Sequence, residues 1–112
     1  MTYNIKSLVS GSLMSTGALV FYTAPANTKA VIHNMTLYNS SSGALTATVY
    51  LNDTGSSADA AHTVIGARVL AGKETYRCPE MIGKSMSATG TISGLASATG
   101  KIAIQANGVE VT

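Results

Sequence analysis

The chain has little cysteine and little charge. Cys78 is the only cysteine among 112 residues, which excludes an intramolecular disulfide and with it a disulfide-stapled secreted scaffold. Charged residues make up 11% of the chain, less than half of the roughly 25% found in ordinary globular proteins. The formal net charge of +2 is too small to mark a binder of nucleic acid or membrane surfaces, which needs a concentrated basic stripe. We therefore expect a neutral surface, which favours contact with protein partners.

Long hydrophobic runs are also missing. Ser10–Ala26 superficially resembles a secretory signal peptide, with Lys6 ahead of it and Ala24-Pro25-Ala26 imitating a cleavage site. The longest uninterrupted apolar run is Ala18–Tyr22, which is too short for a signal-peptide core or a membrane span. We therefore expect a leaderless chain that does not cross a membrane.

The pattern that is present is that of short β-strands. A chain of this length suits one domain with one core. Short β-branched segments recur between Gly, Pro, Ser and Asn, and helical periodicity is weak. The sequence therefore predicts an all-β protein, a single domain over residues 1–112 that folds as an antiparallel β-sandwich of about eight short strands. The candidate strands are Asn4–Val9, a short piece near Leu13, Ala18–Thr23, Lys29–Asn39, Leu45–Leu51, Thr63–Leu70, Glu74–Arg77, Lys84–Ala88 and Lys101–Val111, with a further strand and turn in Ala88–Gly100.

The clearest strand is Leu45–Leu51, in which apolar and polar residues alternate. This alternation predicts that Val49 faces the core and Thr48 faces away. In the preceding strand, Leu37 is also expected in the core. The polar cluster Asn39–Gly43 lies between these two strands, so an antiparallel hairpin is the simplest connection.

Two strands lose their alternation partway along. In Lys29–Asn39, Ile32 is out of step with the later apolar positions, which predicts a bulge near His33. His33 itself is expected to be partly buried and hydrogen-bonded. In the last strand the alternation changes at Asn107-Gly108, which predicts a glycine bulge that resets it. The unpatterned segment Asn52–Ala61 is expected to form an exposed, mobile loop.

The sequence shows no catalytic constellation. Its five carboxylates are scattered without a partner motif for acid–base catalysis. Gly90–Gly94 differs from the Gly-x-Ser-x-Gly elbow that exposes a nucleophilic serine. We therefore predict no catalytic residues and no cofactor-binding residues, and expect a protein that is not an enzyme. A hydrolase stays open as an alternative, which an activity screen on the purified protein would test.

Other chemically versatile residues have simpler explanations. Asp53, Asp59 and His62 could clasp a metal ion across the loop, but their spacing matches no EF-hand or zinc motif, so no metal site is predicted. Cys78 is expected to be a small packing residue, since no neighbour signals a lowered pKa. Four of the seven basic residues lie in one stretch around Tyr76, but acidic residues interrupt it, so we expect a solvated face and no nucleic-acid partner. The basic residues are Arg68, Lys73, Arg77 and Lys84.

Several segments resemble one known group of proteins. Tyr22–Ile32 (YTAPANTKAVI) followed by Leu37–Ser41 (LYNSS) resembles small virion proteins of tailed bacteriophages, in which a "YTAPA" turn, a long strand, an "N-S/T-S" turn and an Ala/Thr/Val strand come in this order. Leu70–Tyr76 and Gly108–Val111 also resemble that group, so the likeness covers most of the chain. It implies a β-sandwich of the jelly-roll type that coats capsids as a decoration or cement protein.

The resemblance implies a role and partners but no catalytic residues. The chain would bind the major capsid protein on the outer surface of the virion, after synthesis in the host cytoplasm, and would act as a homo-oligomer, dimer or trimer. A weak contact repeated over a capsid lattice gains strength through effective concentration. A tail or head–tail module that binds protein or carbohydrate stays open. Clustered loop aromatics would favour carbohydrate, and Asn52–Ala61 has none.

The N-terminal segment, residues 1–12, is a candidate for attachment. Tyr3 and Ile5 share one parity and Leu8 has the other, so a strand here is only loosely committed to one core face. Gly11 and Ser12 are expected to loosen its tie to the body. We predict that this segment is an arm or an edge strand, with Tyr3, Ile5 and Leu8 as partner-binding residues. An ordinary first strand within the sandwich is the alternative.

Overall fold

The computed structural model describes residues 2–112 and consists almost entirely of β-strands. Two short 3-10 turns, Ala60–His62 and Pro79–Met81, are the only helical elements of that range. The strands are β1 (Tyr3–Leu13), β2 (Leu19–Thr23), β3 (Lys29–Asn39), β4 (Leu45–Asn52), β5 (Thr63–Leu70), β6 (Thr75–Tyr76), β7 (Ser85–Met86), β8 (Thr91–Ala96) and β9 (Ile102–Val111). Their bounds follow most of the predicted segments, and the all-β prediction is confirmed.

The strands form two antiparallel sheets packed face to face. Sheet A has the order β1-β9-β3-β6, with β7 paired to the same side of β3 as β6. Sheet B has the order β2-β8-β4-β5. The connections from β4 to β5 and from β6 to β7 stay within one sheet, and every other connection crosses from one sheet to the other. Apart from the short fifth strand β7 in sheet A, this winding of two layers is the jelly-roll arrangement.

The core lies between the sheets and is filled by aliphatic and methionine side chains. In β4, Val49 is fully buried, as is Leu37 in β3, so both predicted orientations are confirmed. Thr48 lies on the outer face, where its Oγ1 accepts a hydrogen bond from the backbone N–H of Ala67 at 3.0 Å. That contact supports a backbone irregularity in β5, since Ala67 has a φ of 44°.

Val49→Ala is expected to lower the free energy of unfolding by about 1–3 kcal/mol, because it removes buried methyl groups and leaves a cavity. Thr48→Ala should cost less, about 1 kcal/mol or below, because the exposed Ala67 N–H can bond to water instead. Urea denaturation of both variants measures the difference. The opposite ranking would contradict the orientation of β4.

The predicted hairpin between β3 and β4 is wrong. β3 pairs with β9, β6 and β7 in sheet A, whereas β4 pairs with β8 and β5 in sheet B. The buried Asn39 side chain holds the corner between them. Its amide donates to the carbonyl oxygens of Gly43 at 2.9 Å and Leu70 at 3.1 Å, and its Oδ1 accepts from the N–H of Ser41. The polar cluster therefore turns the chain from one layer to the other.

The bulge near His33 is confirmed, but the glycine bulge in the last strand is wrong. In β3 the pairing with β9 shifts between Ile32 and Asn34, which leaves His33 out of register and exposed, not partly buried. In β9 the buried positions keep one parity from Ile102 to Glu110, through Gly108. The strand stays regular because both of its neighbours bulge at that level instead.

The second bulge lies in β1, where the register shifts between Ser7 and Val9. It allows the consecutive residues Leu8 and Val9 both to be buried. A further shift follows at Gly11, which has a φ of 134°, yet the pairing with β9 continues to Leu13. Gly11 and Ser12 therefore bend the strand without detaching it.

The predicted exposed loop Asn52–Ala61 is exposed from Asp53 to Ala61, but the prediction is wrong at Asn52, which ends β4 and is fully buried. It connects β4 to β5 within sheet B and is tied down at its start. The carboxylate Oδ1 of Asp53 accepts hydrogen bonds from the N–H and Oγ of Ser87, both at 3.1 Å. The hairpin is therefore formed by β4 and β5 through this long segment, and not by β3 and β4 through the short turn Asn39–Gly43.

Candidate protein-binding surface

β1 is an open edge of sheet A. The N–H of Thr2 donates to the carbonyl of Thr112 at 2.8 Å, and the N–H of Thr112 donates to the carbonyl of Thr2 at 2.9 Å. Hydrogen-bonded and non-hydrogen-bonded pairs alternate along an antiparallel ladder. It follows that Tyr3, Ile5 and Ser7 point their own N–H and C=O groups away from β9, toward the open edge.

The same residues expose their side chains on the outer face of the sheet. Tyr3 is 67% exposed and Ile5 is 89% exposed. Leu8, the third residue predicted to bind a partner, is only 6% exposed and packs in the core. The bulge in β1 turns it inward, so the structure brings Tyr3 and Ile5 together at the surface and removes Leu8 from it.

The side of the sandwich that carries β1 and β2 is unusually apolar. Five of the eight large hydrophobic side chains exposed in residues 2–112 belong to these two strands. Besides Tyr3 and Ile5, they are Leu13, Leu19 and Val20. An edge strand that is long, apolar and weakly charged is a template for pairing with another strand.

A buried carboxylate ties this side of the sandwich together. Glu110 in β9 is almost fully buried, and its Oε2 accepts a hydrogen bond from the Tyr22 hydroxyl of sheet B at 2.5 Å. Its Oε1 lies 3.3 Å from the ammonium of Lys6 in β1. Burial is the largest cause that raises the pKa of Tyr22 above its ordinary value. The hydrogen bond to Glu110 and the negative charge of Glu110 raise it further. The only charge in β1 is therefore turned toward an internal partner.

Sequence reasoning missed this triad. Lys6, Tyr22 and Glu110 are distant along the chain and belong to three strands. A local signal was present, because Glu110 has the same parity as Ile102 and Ile104 and so falls on the inner face of β9. A charged residue at an inward position predicts a partner of opposite charge or a hydrogen-bond donor.

The four strands of sheet B contain one charged residue, Arg68. Its guanidinium lies 3.8 Å from the centre of the Tyr76 ring at the margin of the sandwich. The outer face of sheet B carries uncharged residues, among them Thr46, Tyr50 and the exposed Val69. This face is a second neutral surface, which we call the sheet B face.

Sheet A is concave at the level of the two bulges. A depression of about 500 Å³ lies between Ile5 and Ser7 of β1, His33 and Asn34 of β3, and Asn107 of β9. A bulge bends its strand and increases the local twist of the sheet, and both bulges lie at the level of this depression.

The residues considered for metal binding do not converge. His62 Nδ1 lies 2.6 Å from Asp59 Oδ1, and this contact holds the pKa of Asp59 below its ordinary value. Asp53 instead accepts from Ser87. Within residues 2–112, no three side chains of the His, Cys, Asp or Glu type are grouped closely enough to hold an ion.

Cys78 is buried, and the burial, followed by the charge of Glu80, raises the pKa of its thiol to about 12. A thiol with so high a pKa is a poor nucleophile at neutral pH. It contributes packing beneath the 3-10 turn Pro79–Met81.

Two of the four basic residues of the stretch around Tyr76, Arg68 and Lys73, make local contacts. Arg68 stacks on Tyr76, whose hydroxyl in turn donates to the carboxylate of Glu80. Lys73 donates from its ammonium to the carbonyl of Ser40 at 2.6 Å. The pKa of Tyr76 is raised to about 12, first by loss of solvation and then by the hydrogen bond to Glu80 and its negative charge.

Comparison with known proteins gives no relative: no protein-family model, no curated protein and no solved structure matches the chain. No helix within residues 2–112 has the length and apolar character needed to span a membrane. Fold and surface together define the class, a jelly-roll β-sandwich with an open apolar edge and a neutral outer sheet face.

Proposed function

We propose that this protein is a virion structural protein, which binds the outer surface of a tailed-phage capsid and stabilises it as a decoration protein. The observation that carries the proposal is the sheet B face, a sheet surface whose four strands contain a single charge, at the margin. The partner is the major capsid protein, and the site of action is the virion surface after synthesis in the host cytoplasm.

Three features support this function together. The segments around Tyr22–Ile32 and Leu37–Ser41 resemble small virion proteins, and jelly rolls are common in viral capsids, although a fold alone does not fix a function. Eight of the twelve charged residues lie outside the strands, which leaves the sheet faces neutral. A neutral face is desolvated at low cost, and its weak contact gains strength when a lattice repeats it.

The first test is the composition of purified particles. We expect the protein in intact heads of the phage that encodes it, at a copy number commensurate with the capsid lattice, with density on the outer surface in electron cryomicroscopy. Its absence from particles would contradict the proposal. A copy number that fits one ring at the tail or the head–tail junction would instead assign the tail-module alternative.

The second test concerns the sheet B face. Val69→Glu places a charge on this face, at a position that is 62% exposed and so tolerates the change in the isolated protein. We expect its affinity for particles in a co-sedimentation assay to fall by roughly tenfold or more, because the new charge must be desolvated on binding. Gln105→Glu, on the outer face of sheet A, is the matched control and should bind normally. Equal binding by both variants would contradict attachment through this face.

A further inference from the structure

We propose that the open edge of β1 pairs with β1 of a second copy of this chain, in antiparallel register about a two-fold axis that passes through Ile5. The pairing would join two A sheets into one continuous sheet. It does not depend on the virion role, because it needs only the edge itself.

The backbone supplies the first argument. Tyr3, Ile5 and Ser7 present N–H and C=O groups at the edge, and the strand is regular from Tyr3 to Ser7 before the bulge at Leu8. Strand addition uses such groups for affinity and the alternate side chains for specificity. A second copy of the same strand offers an identical row of donors and acceptors, as an isologous two-fold interface requires.

The charges supply the second argument and select the register. A charge turned inward on an edge strand normally blocks strand addition, because pairing would bury it. Here Lys6 already lies 3.3 Å from the buried carboxylate of Glu110, so pairing buries an ion pair and not a lone charge. On the outer face of the regular segment, the exposed side chains of Tyr3, Ile5 and Ser7 are uncharged.

Among the registers that keep edge-facing residues opposite one another, only the one centred on Ile5 pairs all three of them. Centring on Ile5 places Tyr3 opposite Ser7 of the second copy, Ile5 opposite Ile5, and Lys6 opposite Asn4. Shifting one way sets Lys6 against Lys6, and like charges directly opposite are destabilising. Shifting the two-fold axis the other way, to Asn4, leaves Tyr3 opposite Ile5 as the only kind of edge-facing pair, and Ser7 has no partner. The Ile5-centred register therefore uses the whole regular segment without charge repulsion.

The apolar residues of β2 supply the third argument. β2 is the edge of sheet B on the same side of the sandwich as β1. A two-fold axis through Ile5 therefore brings the β2 edges of the two copies toward each other as well. Leu19 and Val20, which are otherwise exposed, lie on that edge and would add apolar contact area to the backbone pairing.

Cysteine cross-linking tests the pairing and its register on the purified protein. In a Cys78→Ala background, Ile5→Cys should form a disulfide-linked dimer on mild oxidation, since Cα atoms about 5.5 Å apart suit a disulfide. Tyr3→Cys alone and Ser7→Cys alone should stay unlinked, whereas an equimolar mixture of the two should give a cross-linked heterodimer. Val69→Cys, an exposed position on the opposite edge, is the control and should stay unlinked.

Sedimentation velocity supplies an independent readout. The unmodified chain should form a concentration-dependent dimer, and Ile5→Lys should raise its dissociation constant by roughly tenfold or more, because two charges would meet at the axis. A chain that is monomeric at every concentration, or a trimer in which Ile5→Cys does not cross-link, would overturn the pairing. Either result leaves particle binding intact, so its failure is distinct from failure of the virion role.

Discussion

Gly108→Ala is expected to destabilise the fold by about 3 kcal/mol or more, because the added Cβ has no space and the two nearest atoms belong to the backbone. A Cβ at this position would overlap the carbonyl oxygen of Val31 on the neighbouring strand and lie 3.1 Å from Cδ1 of Leu8. The methyl group of Leu8 can shift, but the overlap with the Val31 carbonyl oxygen cannot be relieved by moving a side chain. The strands on both sides of β9 bulge here, so the change strains β1 and β3 together.

Urea denaturation followed by circular dichroism measures this effect, with Gly17→Ala as the matched control. No atom lies within 4 Å of a Cβ built at Gly17. The control should therefore stay within about 0.5 kcal/mol of the unmodified protein, as surface changes usually do. Equal stabilities for the two variants would contradict the close packing of β9 between β1 and β3.

Glu110→Ala is expected to lower the free energy of unfolding by about 3 kcal/mol, because it leaves the buried Tyr22 hydroxyl without an acceptor and removes the partner of Lys6. Glu110→Gln should cost less, since its amide oxygen can still accept from Tyr22. Lys6→Met should cost about 1 kcal/mol or less, because the ammonium is half exposed and its ion pair is partly screened. If Lys6→Met destabilised the protein as much as Glu110→Ala, the hydrogen bond from Tyr22 would not be the main contribution of Glu110 to stability.

The pH dependence of stability separates the Tyr22 contribution. Because the pKa of Tyr22 is higher in the folded than in the unfolded chain, its contribution is complete below the ordinary tyrosine pKa and is lost as the pH rises above it. The free energy of unfolding should therefore fall less steeply above pH 10 in Tyr22→Phe than in the unmodified protein. The difference in slope should be up to about 1.4 kcal/mol per pH unit. Tyr76 and Cys78 titrate in the same range, but they are present in both proteins, so their contribution cancels. An unchanged alkaline slope in Tyr22→Phe would contradict the buried bond.

The triad also bears on the proposed dimer. Glu110 connects β9 to β1 through Lys6 and to sheet B through Tyr22, so it supports the edge at which two copies would pair. We expect Glu110→Gln to weaken dimerisation as well as stability, since Lys6 would then enter the interface without its carboxylate.

Local sequence patterns were sufficient to predict much of the fold and part of the candidate site. The alternation in Leu45–Leu51 placed Val49 in the core, and the break in Lys29–Asn39 located the bulge at His33, because both depend on neighbours one and two residues away. Tyr3 and Ile5 were identified as surface candidates on the same basis. Leu8 was misplaced because its orientation depends on a bulge set by the shape of β9.

The sequence by itself determined that this protein is all-β, low in charge and without an intramolecular disulfide, because composition and period-two alternation are local properties. Only the tertiary structure decided which strands pair. The turn at Asn39–Gly43 suits a hairpin in isolation, yet the buried Asn39 amide bonds to Leu70, 31 positions away, and turns the chain into the other sheet. Likewise, β1 became an open edge only through its pairing with β9, Tyr3 against Val111. Such choices rest on the burial of both inner faces in one core, which joins residues from opposite ends of the chain and leaves no trace in the spacing of either segment.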